Sequence, residues 1–151
     1  MILAATAPLY AAGSTDPLGV FITDIFLDSI TDFLSSELYI GKTGVVYVYE
    51  NNHDLVAASK GAVVSVDSNG NPGRIKVSES TDSTILKSNR FLESQVGTDI
   101  WAASPSRFKG DALSDDPMQL TARYVSEELH LLITAMVPAE DYYGFIHNYP
   151  P

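Results

Sequence analysis

The stretch from Ile40 to Ser59, IGKTGVVYVYENNHDLVAAS, constrains the fold more than any other part of the chain. Gly41 and Gly44 bracket Lys42-Thr43, a composition suited to a tight reversal as the backbone leaves a helix. The β-branched and aromatic run Val45-Val46-Tyr47-Val48-Tyr49 follows, and such residues fit a pleated strand. Side chains alternate across a strand, so Val46 and Val48 belong to one face and Val45, Tyr47 and Tyr49 to the other. Asn51-Asn52-His53-Asp54 carries turn chemistry, and Leu55-Val56-Ala57-Ala58 returns as a second strand.

On either side of this unit the chain is readable in pieces. Ile2 to Tyr10 predicts a strand, Ala11 to Pro17 a turn, and Leu18 to Ile25 the returning strand. Asp28 is the expected N-cap of a helix whose apolar stripe is Ile30, Phe33, Leu34 and Leu38. Asp24, Asp28 and Asp32 recur every four residues, a spacing that capping and solvation explain without a metal. Ser59 to Thr81 is rich in Gly, Ser and Asn and predicts a meander with a short strand over Val63–Val66. Asp67-Ser68-Asn69-Gly70-Asn71 opens like a calcium loop, but Pro72 stands where the loop needs Gly and Ser78 where it needs Glu. A turn is the reading. Asp82 or Ser83 caps a second helix that runs to about Gln95 and stops at Gly97, with Ile85, Leu86, Leu92 and Val96 inward. Met118 to Ser126 and Leu129 to Val137 predict two long strands joined at Glu127-Glu128, with His130 and Thr134 on the less apolar face of the second. Pro138 is the expected first residue of an exit helix carrying Tyr142, Tyr143 and Phe145, with Tyr149 beyond. The sum is an α+β domain with one antiparallel sheet flanked by helices.

Composition narrows the function. A chain of 151 residues with 45% hydrophobic and 19% charged residues has enough apolar content for one packed core. With 19 acidic against 9 basic residues the formal charge is −10, which argues against nucleic acid and against docking on anionic lipid. Cysteine is absent, which agrees with an oxidising compartment without requiring one, and there is no Asn-x-Ser/Thr site. No stretch approaches the roughly 18 apolar residues that span a bilayer. His53, His130 and His147 are far apart and in no metal-ligand spacing, and no nucleophile elbow, phosphate loop or dinucleotide fingerprint occurs. The chain is therefore expected to be no enzyme, with no catalytic residue, no metal site and no cofactor.

The IGKTGVVYVYENNHDLVAAS stretch resembles the start of a Cache domain, the PAS-like extracytoplasmic sensor module of transmembrane receptors. Two further segments agree in order: Pro8-Leu9-Tyr10 through Gly19 to Ile25 resembles the hairpin that precedes it, and LHLLITAMVPAED, Leu129 to Asp141, resembles its closing strand and the start of its exit helix. The resemblance implies a hairpin over residues 1–27 that ends a preceding module, a connecting helix over 28–39, and a PAS-like Cache module over 40–151. This last module resembles the membrane-proximal one of a double Cache domain. It also implies an extracellular or periplasmic location, a membrane-anchored parent whose spanning helices lie outside this chain, and a homodimer. Met1 is accordingly read as a start within a longer protein.

In a PAS-like sheet one face packs on a long helix and the other cups a pocket, with a helix across the pocket's mouth. Val46 and Val48 suit the helix side, which turns Tyr47 and Tyr49 to the cup. The expected lining is Tyr47, Tyr49, Trp101, Arg107, Arg123 and Tyr124, with Arg107 or Arg123 able to grip a carboxylate. For each arginine the competing reading is a surface ion pair, and for Tyr124 and Trp101 plain core packing. The resemblance implies a small-molecule ligand, an amino acid, organic acid or amine, whose binding is relayed to the exit helix. The Tyr-Arg-Trp-Asp ligand motif of distal Cache modules is not found here, so a ligand-free relay or dimerisation module is the alternative.

Overall fold

The computed structural model describes residues 2–38, 40–97, 106–110, 118–126, 130–138 and 141. Strands β1 (Ile2–Tyr10) and β2 (Pro17–Phe26) pair antiparallel as a separate ribbon. The chain then passes directly into helix α1 (Leu27–Ser36). Strands β3 (Val45–Glu50), β4 (Leu55–Ala58), β7 (Ser106–Gly110), β8 (Met118–Ser126) and β9 (Leu131–Pro138) form the central sheet. Its order is β4-β3-β9-β8-β7 and its pairs are antiparallel, so the first and last strands of this region lie side by side in the middle. Between β4 and β7 the chain makes a two-stranded flap, β5 (Val64–Val66) with β6 (Pro72–Arg74), a single 3₁₀ turn at Val77–Glu79, and helix α2 (Ser83–Val96).

Two cores lie on the two faces of β3–β4; β3 alternates strictly between them, while β4, beside a register irregularity, sends the adjacent Val56 and Ala57 to one core. Val46, Val48, Val56 and Ala57 pack with Leu27 and Leu34 of α1. Val45, Tyr47, Tyr49, Leu55 and Ala58 pack with Ile75, Val77, Leu132, Met136 and, from α2, Ile85, Phe91 and Leu92. Val46 and Val48 thus face a helix, and Tyr47 and Tyr49 face away from it.

Several local expectations are met for the stated physical reasons. Asp82 caps α2, its carboxylate accepting from the Thr84 and Ile85 N–H groups at 2.8 and 3.0 Å. Gly97 ends the helix at φ 74°, a conformation that costs glycine little. The Asp67 carboxylate accepts from the backbone N–H groups of Asn69 and Asn71, both at 2.8 Å, which closes the flap's turn.

Others are corrected. The residue preceding α1 is Phe26, with no side-chain cap, and Asp28 sits inside the first turn. The buried Leu27 sets the start, because its burial beneath β3–β4 draws the helix to begin there. Asp28 keeps only the favourable end-of-helix charge interaction. Phe33 and Leu38 of the expected stripe are exposed, and Leu34 with half-buried Ile30 carries the contact instead. Pro138 closes β9 opposite Met118 rather than opening a helix, a strand-end position where its missing N–H is tolerated. His130 precedes β9 in a left-handed conformation at φ 49°, its ring nitrogen 2.9 Å from the Asn51 side-chain amide across the turn. Of the exit segment only Asp141 is described, in helical conformation; Tyr142, Tyr143, Phe145 and Tyr149 lie outside the described residues.

Candidate functional site

The face of the central sheet that carries Tyr47 and Tyr49 lies under α2. Register extends this face row by row: Tyr49 opposes Leu132, which opposes Tyr124, and Tyr47 opposes Thr134, which opposes Ala122. Arg123 instead opposes Ile133 in the row of Val48, and Arg107 opposes Thr121 in the row of Ala135 and Val46. The six expected lining residues therefore divide. Tyr47, Tyr49 and Tyr124 share the rows beneath α2, the two arginines stand in rows of the opposite face, and Trp101 lies outside the described residues.

What α2 brings to the tyrosines is polar. The Tyr47 and Ser88 hydroxyls are 2.9 Å apart, both wholly buried. Thr134 is likewise buried in the row of Tyr47, its hydroxyl acting on the Tyr47 hydroxyl beside that of Ser88. One residue beyond Ser88, Asn89 is 2% exposed and donates from Nδ2 to Glu93 Oε1 at 2.8 Å, while its Oδ1 accepts nothing among the described residues. Glu93 is half-buried, and its negative charge reaches both tyrosines. The rings of Tyr47 and Tyr49 stack with centroids 5.8 Å apart. Burial pushes both phenol pKa values well above the ordinary 10.0, with the Glu93 carboxylate adding to the shift in each case.

Ser88, Asn89, Glu93 and Thr134 are absent from the lining expected from sequence. A signal for two of them exists: Ser88 and Asn89 fall with Ile85 and Leu92 at the spacing of one helix face. Hydrophobicity hides that signal, since a Ser-Asn pair on a helix reads as solvent-facing. Thr134 becomes visible only once its register against Tyr47 is known.

A second polar arrangement ties the ends of the sheet together. The Asp141 carboxylate oxygen Oδ2 accepts from the Thr43 N–H at 2.7 Å, the Thr43 hydroxyl at 3.0 Å and the Gly44 N–H at 3.1 Å. Gly41, at φ 94°, leaves the room this requires, because a Cβ there would sit 2.6 Å from the same oxygen. The Gly-Lys-Thr-Gly turn is thus a carboxylate cradle at the head of β3, and the residue it holds lies three positions beyond β9. At the opposite end of β3, Glu50 and Asp54 pair with Arg74, and Lys76 reaches Asp54 at 3.1 Å, strapping the hairpin tip to the flap. No helix among the described residues is long and apolar enough to cross a membrane.

Comparison with known proteins adds the fold's relatives. No family profile and no curated protein matches the chain. Solved structures do, two of them extracellular domains. The extracellular domain of "the putative histidine kinase mmHK1S-Z3" superposes over 99% of this chain with a TM-score of 0.54 and 12% identity. The extracellular domain of "the putative histidine kinase mmHK1S-Z2" covers 94% with a TM-score of 0.53 and 15% identity. The chain spans about half of each of them, 49% and 47% of their lengths. At that identity the likeness establishes the fold, an α+β arrangement of antiparallel sheets with two helices.

Proposed function

We propose that this chain is an extracytoplasmic small-molecule sensor domain, of the PAS-like Cache kind, from a transmembrane signalling receptor of the histidine-kinase, nucleotide-cyclase or chemoreceptor type. Its ligand binds between α2 and the Tyr47/Tyr49 face, with Tyr124 and Trp101 completing the wall. The observation that carries the reading is the cradle at Asp141. Strands β3 and β9 form the middle of the binding face, and the first residue described in the exit segment is pinned to the turn that starts β3. A ligand that favours one spacing of α2 against these strands thereby favours one placement of the exit segment, which is differential binding acting on a two-state element. The fold's likeness to two extracellular domains of putative histidine kinases supports the same location and a membrane-anchored parent.

A second reading has its own support. Tyr47 and Tyr49 have no exposed surface and Tyr47 is already bonded to Ser88, as a relay or dimerisation module without a ligand requires. Thermal unfolding in the presence of amino acids, organic acids and amines separates the two. A ligand at a hundredfold excess over its Kd adds about 2.7 kcal/mol to stability, so a sensor shows a rise in Tm of several degrees with at least one class. A flat response to all three classes contradicts the sensor reading and leaves the relay.

A further inference from the structure

The turn that closes the β5–β6 flap holds the chain's Asn-Gly pair, Asn69-Gly70. An asparagine side chain can be attacked by the backbone nitrogen of the next residue, most readily where that residue has no Cβ to crowd the approach. Among the chain's asparagines Asn69 alone meets this condition. Asn71 precedes Pro72, whose nitrogen carries no proton to lose. Asn89 is 2% exposed, lies inside α2 and precedes Arg90. Asn52 has its side-chain amide bound to Asp54 at both ends and precedes His53, while Asn51 is engaged with His130 and precedes Asn52. Asn148 precedes Tyr149. Asn69 and Gly70 are both exposed, and a Cβ built on Gly70 would meet nothing within 4 Å, so a ring and an incoming water have room.

The same turn restrains the attack. Gly70 N–H donates to the Asp67 carbonyl at 3.0 Å, which occupies the nitrogen that has to react. The Asp67 carboxylate accepts from the Asn69 and Asn71 N–H groups at 2.8 Å each, and Asp67 N–H donates to the Asn71 carbonyl at 2.9 Å. Asn69 is thus clamped from both sides, and Gly70 is released only when the turn opens, a local event that need not disturb the core.

From this we infer that Asn69 is a site of self-modification, converting to aspartate and isoaspartate at a rate set by opening of the turn that Asp67 holds. The inference is independent of the sensor reading. Gly70 N gives its proton to solvent base and bonds to Asn69 Cγ; the Cγ–Nδ2 bond breaks and ammonia leaves, giving a cyclic imide. Water then opens the ring, and nothing is oxidised or reduced. Water at Cγ gives aspartate, and water at the main-chain carbonyl gives isoaspartate, whose backbone is longer by an atom. Either product sets a new carboxylate close to that of Asp67. Isoaspartate also displaces the Gly70 and Asn71 N–H groups from the Asp67 oxygens. The strand after this turn, β6, leads directly into Ile75, which packs in the core of the Tyr47/Tyr49 face.

The test is peptide mapping by mass spectrometry after prolonged incubation of the folded chain at mildly alkaline pH. Conversion is expected at Asn69 ahead of every other asparagine. Gly70→Ala is expected to lose the product over the same incubation, and Asp67→Ala, which frees the turn, to raise it severalfold. Amide exchange on the separated isoaspartate form is expected to show protection lost at Gly70 and Asn71 and kept at Leu55 and Ile75. Conversion at Asn51 or Asn52 before Asn69 overturns the site. Equal rates with and without the Asp67 carboxylate overturn control by the turn. An Asn69 that stays intact in both chains overturns the inference as a whole.

Discussion

Hairpin β1–β2 leaves Phe21 55% and Ile22 60% exposed, on opposite faces of its ribbon, whereas in hairpin β3–β4 Tyr47, Tyr49 and Leu55 have no exposed surface at all. Both are antiparallel, both are rich in β-branched and aromatic residues, and the first has the longer ladder. The difference is what lies above and below. β3–β4 has α1 on one face and α2 with the flap on the other, while β2 meets α1 and most of the ribbon's described apolar side chains stay exposed. Pairing follows from strand composition, and burial has to be supplied by a second layer. A further contrast lies within the buried hairpin. Its α1 face is purely aliphatic, and its α2 face mixes the same kind of core with Ser88, Asn89 and Thr134.

The largest expected effect comes from exchanging the same chemistry in the two hairpins. Tyr47→Ala opens a cavity under α2 and is expected to lower unfolding free energy by about 3–5 kcal/mol, the range for buried aromatics. Phe21→Ala, in the exposed ribbon, is expected to stay within about 0.5 kcal/mol. Denaturant unfolding of the two variants measures both, and equal losses break the comparison. The next effect is on pH. Burial raises the folded-state pKa of Tyr47 and Tyr49 above the unfolded value of 10.0, so their contribution is complete below that pH and lost as pH rises beyond it toward the folded-state values. Stability is expected to fall by about 1.4 kcal/mol per pH unit for each tyrosine in that window. Tyrosinate absorbance should therefore appear for these two only as the chain unfolds. Smallest is the cap: Asp82→Ala removes two hydrogen bonds at the start of α2 and is expected to cost about 1 kcal/mol by thermal unfolding.

Where local chemistry decides structure, the sequence was readable. The faces of β3 came from strict alternation, the start of α2 from Asp82, its end from Gly97, and the flap turn from Asp67 and Asn71. Misreadings cluster where a distant contact outweighs the local signal. Asp28 is the better cap by composition, yet burial of Leu27 moved the helix start. Pro138 suits a helix start, yet pairing with Met118 kept it in the strand. The candidate site was legible only in its aromatic half. Tyr47 and Tyr49 announce themselves as large residues on one face, while Ser88 and Asn89 are small, polar and buried only because α2 lies on that face. The rows of Arg107 and Arg123 follow only from strand pairing, which sets them with Val46 and Val48, and no local signal fixes that register.

The central claim is that Asp141 pins the segment after β9 to the turn that starts β3, and amide hydrogen exchange of Asp141→Ala tests it most directly. Protection is expected to fall at Thr43 and Gly44, whose N–H groups the carboxylate accepts, with β1–β2 unmoved. Unchanged protection at both positions would contradict it.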